Sequence, residues 1–234
     1  MLPVALLAGG LATRLRPVTE HIPKSLVDVA GQPFILRQLD YLHSQGVRSV
    51  VLCVGHLGHL VETVVGDGST RGLDIRYSFD GERPLGTGGA IARAMPLLGE
   101  EFFVLYGDSF LPIDYAAVEQ SYRDQGKPAL MTVLRNEDRW DTSNVTFRDG
   151  RVVAYDKHVR SAEMAHIDYG LGVISRGAIL HPYRSGAFDL SEVYGYLATS
   201  GLLAGHEVRD RFYEIGSHAG LADTIRYFEH SHQE

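Results

Sequence analysis

The distribution of apolar and polar positions divides the first half of the chain into short apolar runs and longer amphipathic stretches. Most of the runs carry no charge, as is typical of buried strands, and one run alternates apolar and polar residues. These predicted strands cover residues 3–8, 49–54, 74–79, 102–106 and 129–134. The amphipathic stretches predict helices over 32–45, 59–65, 84–98 and 115–125. Strands that alternate with helices indicate βαβ units, and hence a largely parallel sheet with helices on both faces.

The pattern changes in the second half, where residues 144–155 form two strand-like segments around Asp149-Gly150. This dipeptide predicts a β-hairpin with a type I′ turn, because that turn needs positive φ at both central positions. Two more strands, over 166–174 and 207–213, and two helices, over 190–199 and 218–230, complete the pattern. We therefore predict one domain over residues 1–234 with an α/β, Rossmann-like fold. Its mixed, mostly parallel sheet is flanked by helices and carries a small antiparallel lobe.

Composition narrows the class of protein. The chain has 234 residues, 44% of them hydrophobic, which fits one domain with a full core. A net charge of −7 without a Lys/Arg-rich stripe argues against a nucleic-acid partner. No apolar run has the length of a membrane span, and no signal peptide is expected. The single cysteine, Cys53, lies in an apolar run and is predicted to pack as a small hydrophobe, which favours a cytoplasmic setting.

The first predicted strand ends in a glycine loop that is followed by cations. Gly9-Gly10 precedes Thr13, Arg14 and Arg16, and Lys24 comes shortly afterwards. Glycine lets the backbone approach a ligand, and backbone N–H groups together with cations suit a polyphosphate. The alternative is an ordinary turn with surface arginines, since the loop lacks the Gly-Lys-Ser/Thr of a P-loop.

The same loop carries a resemblance to a known family. The pattern is Leu7-Ala8-Gly9-Gly10-x-x-Thr13-Arg14-Leu15-x-Pro17, with Pro23-Lys24-x-Leu26 after it. It resembles the signature of the sugar-1-phosphate nucleotidylyltransferases, which join a nucleoside triphosphate to a sugar 1-phosphate and release pyrophosphate. The resemblance implies the nucleotide-diphospho-sugar transferase fold. It also implies that Arg14 binds on the β/γ side of the triphosphate and Lys24 near the α-phosphate. The remaining nucleotide contacts that it implies in this loop are Leu7, Ala8, Gly9, Gly10 and Thr13. Ala12 departs from the pattern, because the family usually has glycine there.

The cofactor that the resemblance implies is Mg²⁺, held by carboxylates. Asp108 follows a predicted strand and a glycine, as the metal-binding aspartate of the family does; its alternative role is that of an N-cap. Glu214, in the segment 212–217, resembles the second metal ligand of the family, although Asp is commoner there. Its alternative role is that of an ordinary carboxylate at a strand end.

Other segments resemble the substrate-binding parts of the family. Gly86, Thr87 and Gly88 resemble the loop that recognises the nucleobase, and Thr87 also suits an N-cap. Lys157 resembles the lysine that contacts the sugar phosphate, with a surface lysine as the alternative. The sugar-binding segments are matched by Asn144, Asp168, Tyr169 and Gly170.

Three of these candidate segments are expected to share one cleft. Gly9-Gly10, Gly107-Asp108 and Gly170 lie at or near the ends of predicted strands. In an open α/β sheet, ligands bind outside the carboxyl ends of the strands. The expected partners are a nucleoside triphosphate and a sugar 1-phosphate.

Within the family, the chain most resembles the short heptose-1-phosphate guanylyltransferase-like branch. GTP with heptose 1-phosphate is therefore the expected pair. The alternative pairs are UTP with N-acetylmuramate 1-phosphate, from the muramate-phosphate uridylyltransferase-like branch, or another hexose 1-phosphate. A catalytically inactive nucleotide-sugar-binding regulatory protein is the alternative of another class, and it would be expected to lose Lys24 or Asp108.

Two further alternatives concern the cofactor and the assembly. An NAD-dependent oxidoreductase would need G-x-G-x-x-G after the first strand, and residues 9–14 do not match it. Tyr194, Tyr196 and the pair Leu202-Leu203 fit either the core or the interface of a homo-oligomer, and the sequence leaves this open.

Overall fold

The computed structural model describes residues 1–10, 13–15, 17, 19–180 and 186–231. The strands in these ranges are β1 (Val4–Leu7), β2 (Asp28–Val29), β3 (Gln32–Pro33), β4 (Ser49–Val54), β5 (Asp74–Phe79), β6 (Glu101–Tyr106), β7 (Ser109–Phe110), β8 (Ala129–Arg135), β9 (Val145–Arg148), β10 (Arg151–Tyr155), β11 (His166–Ser175), β12 (Leu203–Val208) and β13 (Tyr213–Glu214). The helices are α1 (Phe34–Ser44), α2 (Gly58–Val65), α3 (Gly86–Ala94), α4 (Tyr115–Gln125), α5 (Arg176–Leu180), α6 (Leu190–Thr199) and α7 (His218–Ser231).

One mixed sheet organises the described residues, with nine strands in the order β5-β4-β1-β6-β11-β8-β12-β10-β9. Strands β5, β4, β1 and β6 are mutually parallel. Strand β11 runs antiparallel to both β6 and β8, and β12 runs parallel to β8. Seven of the nine strands, all except β10 and β11, therefore share one direction, and their carboxyl ends lie towards one edge of the sheet. The predicted fold class, a mixed and mostly parallel sheet flanked by helices, is confirmed.

The predicted hairpin is formed by β9 and β10. Asp149 and Gly150 both have positive φ, of 49° and 74°, as a type I′ turn requires. The hairpin adds to the sheet beside β12, and β9 also pairs with β11 through Val145 and His166. The hairpin is thus the small antiparallel lobe that the sequence predicts.

The core lies on both faces of the sheet because the central strands carry apolar side chains on both faces. In β1, Val4 and Leu6 pack with α1, α2 and α4 on one face, while Ala5 packs with α3, α5 and α6 on the other. Cys53 is buried on the second face, and burial raises the pKa of its thiol to about 12. Cys53 therefore packs as a small hydrophobe, as predicted.

Two sequence predictions about strands are wrong. The strand predicted over 207–213 is β12, which lies earlier, at Leu203–Val208, and Tyr213–Glu214 forms a separate strand with β7. The pairing with β8 fixes the strand at these residues, and Gly205 lets it pack against the hairpin, because a Cβ there would lie 2.5 Å from the Phe147 ring. Gly170 is not near a strand end; it lies inside β11, with φ of 104°, where the pairing with β8 is irregular.

Candidate active site

A cleft of about 500 Å³ opens at the edge where the carboxyl ends of the parallel strands meet. It is lined by most of the residues that the resemblance assigns to the nucleotide and the metal, and by several that it does not. The predicted residues in the lining are Leu7, Ala8, Gly9, Gly10, Arg14, Lys24, Gly86, Thr87 and Asp108. The unpredicted ones include Ser25, Asp80, Tyr106 and Gly216. The structure therefore brings the ends of β1 and β6 into one cavity, as the sequence predicts, and adds the start of α3 to it.

Thr13 and Arg14, two of the predicted nucleotide contacts, lie in a short turn. Thr13 begins a short 3₁₀ turn that continues through Arg14, which is exposed beside the cleft. Ala12, the departure from the family pattern, lies outside the described residues, as does Arg16.

Lys24 and Asp108 form an ion pair inside the cleft. The Nζ atom of Lys24 lies 2.7 Å from Oδ2 of Asp108, and the lysine side chain is only 14% exposed. Asp108 reaches this place because Gly107 follows β6 closely beside β1, where a Cβ would lie 2.5 Å from the carbonyl oxygen of Leu7. Asp108 is followed by β7 and not by a helix, so its alternative role as an N-cap is wrong.

Glu214 is the last residue of β13, four residues before α7, and lies close to this ion pair. Its carboxylate accepts hydrogen bonds from the backbone N–H of Gly216 and, at 2.7 Å, from the hydroxyl of Ser217. A Cβ on Gly216 would lie within 3.1 Å of both Oε2 of Glu214 and Nζ of Lys24, so these two groups converge on one glycine. Gly220 leaves room for the longer Glu side chain, because a Cβ there would overlap Oε1.

The donor set at this place fits Mg²⁺ bound through few protein ligands. Asp108 offers a partly exposed carboxylate to the cleft, and Glu214 has one accepted hydrogen bond on each oxygen and a free lone pair besides. Among the described residues, no group of three or more His, Cys, Asp or Glu side chains surrounds a common point. Mg²⁺ commonly takes one or two carboxylates and completes its shell with phosphate oxygens and water.

The base-loop candidates are held by the segment that precedes α6. The backbone N–H groups of Gly88 and Gly89 both donate to the carbonyl oxygen of Phe188, at 3.0 and 3.2 Å. Thr87 is not the N-cap of α3, since Leu85 occupies that position. Instead, the Thr87 hydroxyl accepts a 2.8 Å hydrogen bond from the N–H of Leu190, the first residue of α6. Two stretches about a hundred residues apart are therefore joined by hydrogen bonds, and the first of them lines the cleft.

Asp80 is a cleft residue that the sequence reasoning missed. It directly follows β5, and its Oδ2 accepts a hydrogen bond from the N–H of Leu85, at 3.3 Å. Burial raises the pKa of the Asp80 carboxyl, although Leu85 and the charge of Arg93 oppose this. The signal was present in the sequence, because an acidic residue followed the end of a strand that points to the same edge as the first glycine loop.

The predicted sugar-site residues form a second group around Asp168. Its carboxylate accepts from the N–H of Gly170 at 3.0 Å and from the hydroxyl of Tyr155 at 3.2 Å. Asn144 accepts the backbone N–H of Asp168 at 2.9 Å. Burial raises the pKa of Asp168, and the charge of Lys157 opposes this rise. These residues do not line the described cleft. Lys157 is the one with a contact towards it, since its Nζ lies 5.4 Å from the ring centre of Tyr106, which is a lining residue.

Tyr169 is placed differently from its neighbours. Its side chain is 1% exposed and packs edge-on against Phe212, and its hydroxyl donates to the carbonyl oxygen of Arg211 at 3.4 Å. The side chain therefore belongs to the core, and only its backbone is left for a ligand.

Comparisons with known proteins agree with this fold. The family model described as "Nucleotidyl transferase" matches residues 4–144. The D-glycero-alpha-D-manno-heptose 1-phosphate guanylyltransferase of Campylobacter jejuni is 34% identical over 155 residues, 66% of this chain and 67% of that protein. The N-acetylmuramate alpha-1-phosphate uridylyltransferase of Neisseria meningitidis is 42% identical over 117 residues, 50% of this chain and 51% of that protein.

A solved structure is similar over almost the whole chain. HddC from Yersinia pseudotuberculosis, complexed with GMP-PN, has a TM-score of 0.83 and 26% identity, covering 97% of this chain and 100% of that one. The alignments span between 44% and 67% of the length of the first curated relatives. The chain belongs to the nucleotidyl transferase family. In the part of the chain that the structure describes, every helix is too short or too polar to cross a bilayer.

Proposed function

We propose that the chain transfers a nucleoside monophosphate from a nucleoside triphosphate to a sugar 1-phosphate, forming a nucleotide sugar and releasing pyrophosphate. The observation that carries this proposal is the Lys24–Asp108 pair, 2.7 Å apart, in a cleft that also holds Gly9, Gly10 and Arg14. Cations beside a glycine loop bind phosphates, and a carboxylate among them is the group that a divalent cation needs. Membership of the nucleotidyl transferase family supports the same reaction.

In the proposed reaction, a phosphate oxygen of the sugar 1-phosphate attacks the α-phosphorus, and pyrophosphate leaves on the opposite side. No covalent intermediate on the protein is needed, so the protein contributes positioning and charge stabilisation. Lys24 binds at the α-phosphate and Arg14 at the β and γ phosphates. Asp108 and Glu214 would hold Mg²⁺, which when bound neutralises the charge of the phosphates. Lys157 contacts the sugar phosphate, and Asn144, Asp168 and Gly170 contact the sugar.

GTP is the proposed nucleotide, and heptose 1-phosphate the proposed acceptor. Asp80 supports guanine by its chemistry, because a carboxylate accepts hydrogen bonds and guanine offers the adjacent donors N1–H and N2–H₂. Uracil and thymine instead present one N–H between two carbonyl oxygens, which a carboxylate repels. The Campylobacter relative and the HddC complex with GMP-PN support the same choice. The Neisseria relative supports the alternative, UTP with N-acetylmuramate 1-phosphate.

Pyrophosphate release tests the reaction. The protein is incubated with Mg²⁺, each of the four nucleoside triphosphates, and heptose, mannose, glucose or N-acetylmuramate 1-phosphate. We expect release with one base and sugar pair, and a loss of at least about a hundredfold in Asp108→Asn, since metal and lysine both depend on this carboxylate. Triphosphate binding without release from any pair would favour the regulatory protein that has kept the pocket and lost the chemistry.

Asp80→Asn tests the choice of base. We expect kcat/KM for GTP to fall about tenfold or more, because the amide turns a donor towards the guanine donors and a bidentate contact is worth about 1–3 kcal/mol. The matched control is Asp74→Asn at the other end of β5, where the side chain is exposed and pairs with Arg76. An equal loss for GTP and UTP in Asp80→Asn would assign Asp80 a role in holding the loop and not in reading the base.

A further inference from the structure

Asp189 lies between the two substrate regions of the proposed site. It directly precedes α6, where its Oδ1 accepts the N–H of Ser191 at 2.8 Å as the N-cap of that helix. The same Oδ1 lies 3.6 Å from Nζ of Lys157, the lysine assigned to the sugar phosphate. Asp189 is therefore an ordinary helix cap with an additional cationic partner from the end of the hairpin.

The same segment also holds the base loop. Phe188 accepts from Gly88 and Gly89, and Leu190 donates to the hydroxyl of Thr87. The Thr87 side chain also helps to lower the pKa of the Asp189 carboxyl. Residues 188–190 thus contact the base loop with two backbone groups, while the Asp189 side chain between them contacts Lys157. No other described carboxylate has a salt bridge to Lys157.

The carboxyl of Asp189 stays ionised although it is partly buried. Burial disfavours its charge, but hydrogen bonds from Ser191 and the charge of Lys157 favour it, and the pKa of Asp189 lies below its ordinary range. The Lys157 side chain is 33% exposed and that of Asp189 46% exposed, so a ligand can reach the lysine while the ion pair stays formed. At 3.6 Å the pair is longer than a hydrogen bond, which leaves the donors of the ammonium available to a phosphate.

We propose that Asp189 is a positioning residue. It holds Lys157 beside the cleft and fixes the position of this lysine relative to the base loop. The inference rests on the proposed function. Without an anchor, Lys157 is a flexible side chain after the hairpin, and ordering it is left to the incoming phosphate. With the anchor, the lysine stands beside Tyr106 at the cleft before the sugar phosphate arrives. Asp189 therefore raises the affinity for the acceptor and leaves the affinity for the triphosphate unchanged.

The variant Asp189→Asn separates the charge from the helix cap, because Asn caps a helix about as well as Asp. We expect KM for the sugar 1-phosphate to rise about fivefold, as for the loss of one partly exposed ion pair. KM for the triphosphate and the melting temperature should stay near those of the unmodified protein. The control is Asp114→Asn, which changes the N-cap of α4 in the same way, away from the cleft lining. An unchanged KM for the acceptor would overturn the proposal, since the charge of Asp189 would then have no effect on acceptor binding. A lowered KM would also overturn it, since Asp189 would then compete with the phosphate for Lys157.

A double-mutant cycle with Lys157→Met gives the second test. If Asp189 acts through Lys157, Asp189→Asn should have no further effect on the acceptor KM once Lys157 is replaced. Equal effects of Asp189→Asn with and without Lys157 would assign its action to something else and overturn the proposal.

A measurement without turnover keeps this inference distinct from the proposed function. The rate at which an amine-reactive reagent labels Lys157, followed by mass spectrometry, should increase in Asp189→Asn and not in Asp114→Asn. Faster labelling in a protein that releases no pyrophosphate would support the anchor and refute the reaction. Unchanged labelling in an active enzyme would refute the anchor alone.

Discussion

At the residue scale, the buried carboxyl of Asp168 lowers the stability of the folded protein when it is ionised. Its carboxyl accepts from Gly170 and Tyr155, yet burial still raises its pKa. A carboxyl whose pKa is raised by folding destabilises the protein above that pKa, because the unfolded state ionises more easily. The cost is absent below the ordinary value of 3.8, grows as the pH rises through the interval, and is complete above the folded-state pKa.

Asp168→Asn should therefore stabilise the protein at neutral pH. Asn keeps an acceptor for Gly170 and removes the buried charge, so we expect the melting temperature at pH 7 to rise by roughly 2–4 °C, the equivalent of about 1 kcal/mol. The gain should shrink as the pH is lowered towards 3.8, because Asp168 then becomes protonated in both states. Thermal unfolding between pH 4 and pH 8 measures this. A gain that does not depend on pH would show that packing, and not charge, is responsible.

At the scale of elements, the sequence predicts those whose pattern is local. The boundaries of β4, β5, α4 and α6 agree with the predicted ranges, because apolar runs and helical spacing are properties of the segment alone. The hairpin turn follows from two positive-φ positions. The predicted position of β12 was wrong because the pairing of this strand with β8 and the hairpin decides where it begins, and its own alternation of residues does not.

The same division holds for the candidate site. The glycine loops and Asp108 were predictable, since each follows a strand that ends at one edge of the sheet. Three features of the site were not predictable. They are the orientation of the Tyr169 side chain towards the core, the hydrogen bond from Ser217 to the Glu214 carboxylate, and the ion pair between Asp189 and Lys157. These depend on contacts between distant segments, which no local pattern contains. The roles proposed for these residues remain predictions until substrates and variants are measured.

At the scale of the whole molecule, the site is assembled from both ends of the chain. The net charge is −7, so the phosphates must be held by a few local cations, and Lys24 and Lys157 come from segments far apart in sequence. The base loop is held in turn by Phe188, through its carbonyl oxygen and its ring. The cleft therefore depends on the packing of α3 against the segment before α6, and a change there should affect both stability and binding.

Gly88→Ala tests this dependence. A Cβ on Gly88 would lie 2.2 Å from the ring of Phe188, whose backbone is fixed by the loop, so ring and loop must move apart. We expect a loss of about 1–3 kcal/mol in unfolding free energy, as in other overpacked sites, and a weaker affinity for the triphosphate in a titration. The control Gly177→Ala, in α5, meets no atom within 4 Å and should be neutral or stabilising. Adding Phe188→Leu to Gly88→Ala should restore most of both losses, because the smaller side chain frees the space. Weakened binding with full stability would instead place the effect of Gly88 on the nucleotide itself.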